Sequence, residues 1–110
     1  MGQSKRKNLQ AVPALRRSPP PQSFQVAGHT YTIQRPTNLI DDLDSLGRCD
    51  PPNLVVQLDA SLQGSVLDHT FMHEAIHAIL WEMDERRLHS NEKFVDMLSN
   101  LLCQVLRTLE

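Results

Sequence analysis

Apolar and polar positions alternate with a period of two over two short stretches early in the chain. Phe24 and Val26 stand between polar neighbours, and Tyr31 and Ile33 alternate with Thr30, Thr32 and Gln34. Alternation with aromatic and β-branched residues predicts a β-hairpin that turns at Ala27-Gly28 and ends at Arg35-Pro36. Residues 53–59, Asn-Leu-Val-Val-Gln-Leu-Asp, predict a third strand apolar enough to sit centrally. The stretch between, residues 37–52, holds the turn formers Asp41, Asp42, Asp44, Gly47, Asp50, Pro51 and Pro52. It reads as loop, with room for a short helical turn over residues 39–46.

The period then lengthens to that of a helix. Val66, Phe71, Ala75, Ile76, Ile79, Leu80 and Met83 give a broad apolar surface to a helix expected from Gly64–Ser65 to about Arg87, capped by Ser61 or Ser65. A last helix is expected over residues 91–108, with Ser90 as its N-cap. Phe94, Leu98, Leu101, Val105 and Leu109 recur every three or four positions there and are expected to face the core, with Leu102 and Leu106 beside them. The predicted fold class is α+β: a small three-stranded sheet, hairpin plus one strand, packed on two helices.

Residues 1–22 stand apart from this domain, which is expected to span residues 23–110. They are basic and close on Ser18-Pro19-Pro20-Pro21, which favours extended polyproline geometry. Residues 1–40 carry six basic side chains and no acid, whereas residues 41–110 carry all 13 acids against five bases. The near-neutral total therefore hides a basic arm on an acidic domain. The arm reads as a solvated tail or as a contact for nucleic acid or an acidic partner. It has few aromatic residues to stack on bases, which argues against a dedicated nucleic-acid module. No apolar run approaches the ~18 residues of a membrane helix, and residues 1–22 have basic side chains but no apolar core like that of a secretory signal. Cys49 and Cys103 are too far apart to act as a short ligand pair. A soluble, cytoplasmic chain with reduced thiols is expected.

Candidate chemistry concentrates at His73-Glu74-Ala75-Ile76-His77. Two histidines four residues apart share one helix face, one turn apart, and can hold one zinc ion through their imidazole nitrogens. Glu74, directly after the first histidine, stands where a metalloprotease carries its general base. Zinc lowers the pKa of a water it binds from 15.7 to about 7, so that a carboxylate can take its proton near neutral pH. A third protein ligand is needed. A histidine six residues past His77 is absent, because Met83 stands there, and Glu82, Asp84 and Glu85 are too close on the same helix to reach back. Glu92, in the first turn of the last helix, is the favoured third ligand, with His89 as the alternative. Asp96, one turn after Glu92, is placed to accept the outer N–H of His73 or His77. His69 lies one turn before His73 and reads as a cleft-edge histidine, a neighbour of the ligands or an oxyanion stabiliser. His29 and Tyr31 would reach substrate only if the hairpin lined the cleft.

The combination of His73-Glu74-Ala75-Ile76-His77 with Glu92 and Asp96 resembles the gluzincin arrangement, in which a glutamate on a following helix is the third ligand. The strand before the motif, the segment Thr70-Phe71-Met72, and the closing stretch from Asn91 to Leu102 are similar to small phage and prophage metallopeptidases related to the ImmA/IrrE group. The resemblance covers residues 24–109. It implies Zn2+ held by His73, His77 and Glu92, a peptidase-like fold, a protein or peptide substrate, and a bacterial or phage-infected cell. The expected function is hydrolysis of a peptide bond by metal-activated water. The alternative is a zinc-stabilised accessory or binding protein with little or no turnover.

Overall fold

The computed structural model describes residues 22–43 and 45–110; the tail expected over residues 1–22 lies almost wholly outside them. The hairpin is present as β1 (Ser23–Val26) and β2 (His29–Gln34), paired antiparallel from Ser23↔Thr32 to Val26↔His29. Ala27 and Gly28 both have positive φ, 52° and 82°. That is the requirement of a two-residue type I′ turn, and glycine meets it without a Cβ penalty.

After β2 come α1 (Leu39–Leu43), β3 (Gly47–Asp50), a 3-10 turn at Pro51–Asn53 and β4 (Val55–Leu58). The sheet is therefore four-stranded, in the order β1-β2-β4-β3, with β4 parallel to β2 and antiparallel to β3. The α+β class is as expected, but the strand count is one too low in the sequence reading. Gly47-Arg48-Cys49-Asp50 has no β-branched residue and lies among turn formers, so its local propensity gives no strand signal. Pairing with the apolar β4 makes it a strand. Gly47 has a further reason to be glycine. A Cβ there would stand 2.8 Å from Thr70 Cγ2 and 3.0 Å from the Gln57 carbonyl oxygen, so the bare backbone is what lets β3 lie against the next helix.

The central helix, α2, runs from Gly64 to Glu82. It is sandwiched. Leu67, Phe71 and Ala78 meet the sheet's Tyr31, Ile33, Val56 and Leu58. Ile76 and Leu80 meet Val95 and its partly buried neighbours Phe94 and Leu98 on the last helix. Arg35 fixes the approach to α2 by donating to the carbonyls of Leu58, Asp59, Ala60 and Leu62. The buried Asp59 carboxylate accepts from the Ser61 hydroxyl and amide, which hold it below the usual carboxylate range.

Both helix boundaries move relative to expectation. Neither Ser61 nor Ser65 caps α2; its N-cap is Gln63, with no side-chain bond. The helix also stops at Glu82 rather than Arg87. Asp84 takes a left-handed φ of 62°, its N–H bonds Trp81 O, and Glu85 N–H reaches back to Leu80 O, both at 2.9 Å. This is a Schellman closure with aspartate where glycine or asparagine is usual. A single turn, α3 (Arg86–His89), follows, and then α4 (Glu92–Thr108). Asn91, not Ser90, caps α4 by accepting the Phe94 N–H at 3.0 Å. Asn91→Ala is expected to cost about 1 kcal/mol in chemical denaturation, the usual worth of such a cap.

The apolar stripe of α4 is also rotated from expectation. Val95, Ser99 and Cys103 are the buried positions, whereas Leu101, Val105 and Leu109 are about half exposed. The helix turns its more polar edge, carrying Glu92 and Asp96, towards the histidines of α2. No helix among the described residues is long and apolar enough to cross a membrane.

Candidate metal centre

The three exposed-side elements β3, α2 and α4 enclose an open cavity of about 900 Å3. Its floor is one face of α2, carrying Val66, His69, Thr70, His73, Glu74 and His77; residues 45–49 form one wall, and Glu92 and Asp96 on α4 form the other, with His89 and Ser90 at one side.

Helical spacing places the His73 and His77 rings side by side, with centroids 5.0 Å apart. The antiparallel return of α4 brings the Glu92 carboxylate over both. Its oxygens lie 2.9 Å from His73 Nε2 and 3.2 Å from His77 Nε2. One donor atom from each residue falls within 4.8 Å of the others. A tetrahedral zinc with ligands at 2.0–2.1 Å spaces its donors about 3.3 Å apart, so the cluster needs only a small adjustment to hold one ion. Both Nε2 atoms lie within hydrogen-bonding distance of that same carboxylate. The protonation states also suit a cation. Burial pushes His77 below the usual histidine value, so its lone pair stays free at neutral pH. Burial tends to raise Glu92, but its bonds to the two histidines outweigh that and leave the carboxyl below its ordinary range. Two imidazoles and one carboxylate are a donor set zinc accepts, and the two histidines are largely shielded while Glu92 opens to solvent.

Glu74 follows His73 on the helix and turns towards β3, where it is buried; a Cβ on Gly47 would stand 3.2 Å from its Cγ. Burial pushes its carboxyl up to about 8, the Glu92 charge adds to the rise, and Arg48 opposes it. Asp96 Oδ1 stands 3.5 Å from His73 Nδ1, so of the two histidines it is the first that it faces. His77 Nδ1 is buried with no hydrogen-bond partner among the described residues.

The remaining histidines are accounted for separately. His89 donates from Nδ1 to the His77 carbonyl at 2.9 Å and packs edge-on against His77 and Trp81. It lines the cavity but is outside the three-residue donor cluster, so it takes a bracing position rather than the alternative ligand position. Arg86, 3.5 Å over the Trp81 ring, secures the same turn. His69 lies at the cavity's edge, with Nδ1 2.7 Å from Asn100 Oδ1 and Nε2 3.5 Å from Arg107. His29 and Tyr31 are elsewhere: both bond Glu82 at the far end of α2, at 3.1 and 2.7 Å, and β2 does not border the cavity. Burial, reinforced by Glu82, pushes the Tyr31 hydroxyl well above its usual pKa. The wall that the sequence reading missed is β3. Its one signal is Gly47, an isolated glycine that marks a close backbone approach.

No protein-family model, curated protein or solved structure matches the chain.

Proposed function

We propose that the chain is a zinc-dependent, peptidase-like hydrolase acting on a protein or peptide in the cytoplasm of a bacterium or phage-infected cell. The observation that carries this reading is the convergence of His73, His77 and Glu92 on one point in an open cavity, with the buried Glu74 carboxyl on the same floor. His73, His77 and Glu92 would hold the ion. Zinc, when bound, would supply a Lewis acid that acidifies water and polarises the scissile carbonyl. Glu74 accepts the proton of the attacking water and returns it to the leaving amine. Glu74 would be held in its ionised form beside a bound cation. Asp96, 3.5 Å from His73 Nδ1, would accept that ring's outer N–H and so orient its Nε2 towards the Glu92 side. β3 is an edge strand, so its outer backbone groups are available to pair with an extended peptide.

The direct trial uses unfolded casein as a general substrate for the zinc-loaded chain. Fragments are expected, lost on adding 1,10-phenanthroline and recovered with stoichiometric zinc. Intact casein throughout, or fragments that persist with the chelator, would remove the reading.

A further inference from the structure

Resting on the metal-centre reading, we infer that the cavity selects a bulky apolar side chain about three residues from the scissile bond, recognised by Val66 and Leu46. These two are among the chain's exposed large hydrophobics, 50% and 45% accessible, and both open on the cavity. Leu46 adjoins Gly47, which lies against Thr70, and Val66 stands one helical turn before Thr70. The pair therefore flanks the Thr70 section of the floor.

Two polar groups of that section, Thr70 and His69, are already engaged. The Thr70 hydroxyl donates to the Val66 carbonyl at 2.8 Å. His69 is engaged at both ring nitrogens by Asn100 and Arg107. Leu46 and Val66 add apolar surface that gains from being covered, while Ser65 and Arg48 beside them on the lining keep the edge of the patch polar. The spacing gives the position of the residue recognised. Val66 precedes His73 by seven residues, about 10 Å along a helix. An extended peptide advances about 3.3 Å per residue, so about three residues separate the scissile bond from this patch. A side chain of the leucine or phenylalanine class fits the open volume and covers both residues, which a charged one does only by giving up its water.

Peptide hydroxamates separate this inference from the reading beneath it, because the hydroxamate group itself ligates zinc. Two series serve, with the hydroxamate at the C-terminus or the N-terminus, and with the third residue from it set to Gly, Leu, Phe, Asp or Lys. Binding to the zinc-loaded full chain is measured by calorimetry. In one series Leu and Phe are expected to bind roughly 10- to 100-fold tighter than Gly, the range for covering one such side chain. Asp and Lys are expected to bind less tightly than Leu and Phe. Val66→Asp and Leu46→Asp are expected to collapse the Leu-to-Gly ratio towards one. That readout is a ratio of affinities, which loss of folded protein alone does not move. Equal binding of all side chains in both series, or an unchanged ratio in both variants, overturns the inference and leaves the metal centre standing. Failure of every hydroxamate to bind overturns both.

Discussion

Glu74→Gln is expected to keep its zinc and to lose turnover by roughly a hundred- to ten-thousandfold, the usual contribution of a positioned general base. Glutamine preserves the size and the hydrogen-bonding shape of the side chain but cannot accept the water's proton. The residue is not a ligand in this arrangement, so metal content should not change. A second effect of the same substitution has the opposite sign. Burial, with Glu92 adding, raises the Glu74 carboxyl to about 8 in the metal-free chain, against an ordinary value of 4.5. The folded chain thus holds this proton more tightly than the unfolded chain does. Its contribution to stability is fully present below pH 4.5 and is lost as the pH rises through 8. The loss amounts to a few kcal/mol by linkage. Glu74→Gln removes that loss, so the metal-free variant should be the more stable protein at pH 8. Urea titrations of both metal-free chains at pH 5 and pH 8 give the comparison. A variant as active as the parent would instead make the metal structural and the protein a zinc-stabilised binding module.

His77→Ala is expected to weaken zinc binding by more than about 100-fold, since losing only an orienting partner of a ligand already costs 10- to 100-fold. With zinc near 100 times the parent's dissociation constant, that change forfeits about 2.7 kcal/mol of ligand-linked stability. For a domain of this size the midpoint of thermal unfolding should fall by roughly 10–20 °C in zinc, with a much smaller difference in chelator. Acid should act in the same direction on the parent. His77 and Glu92 both have folded pKa values held low, so the stability they contribute is present above their ordinary values. It is lost as the pH falls through their folded ones, together with the metal. A thermal shift of equal size with and without zinc would mean that His77 serves packing rather than metal.

Much of this arrangement can be read from the sequence, and what cannot has physical causes. The hairpin is legible because Phe24, Val26, Tyr31 and Ile33 alternate and because Ala27-Gly28 supplies the turn. The position of Glu92 is legible because a helix of known phase must return alongside α2. β3 is not legible: four residues with no strand propensity become a strand through β4 and through the space that Gly47 leaves. The end of α2 is not legible because Asp84 adopts the left-handed conformation that glycine normally provides. The orientation of α4 is missed for a third reason. Its leucine stripe is the stronger periodic signal, yet the helix buries the narrower line of Val95, Ser99 and Cys103 and so brings Glu92 to the histidines. Local periodicity shows that a helix is amphipathic, but the neighbouring charges and rings decide how far it is turned.

The central claim is that His73, His77 and Glu92 together hold one zinc ion. Elemental analysis of the purified chain, dialysed against metal-free buffer beside its His73→Ala/His77→Ala variant, tests it most directly. The expected result is zinc near one per chain in the parent and almost none in the variant. A parent free of zinc after exposure to it, or a variant that retains as much as the parent, would contradict the claim.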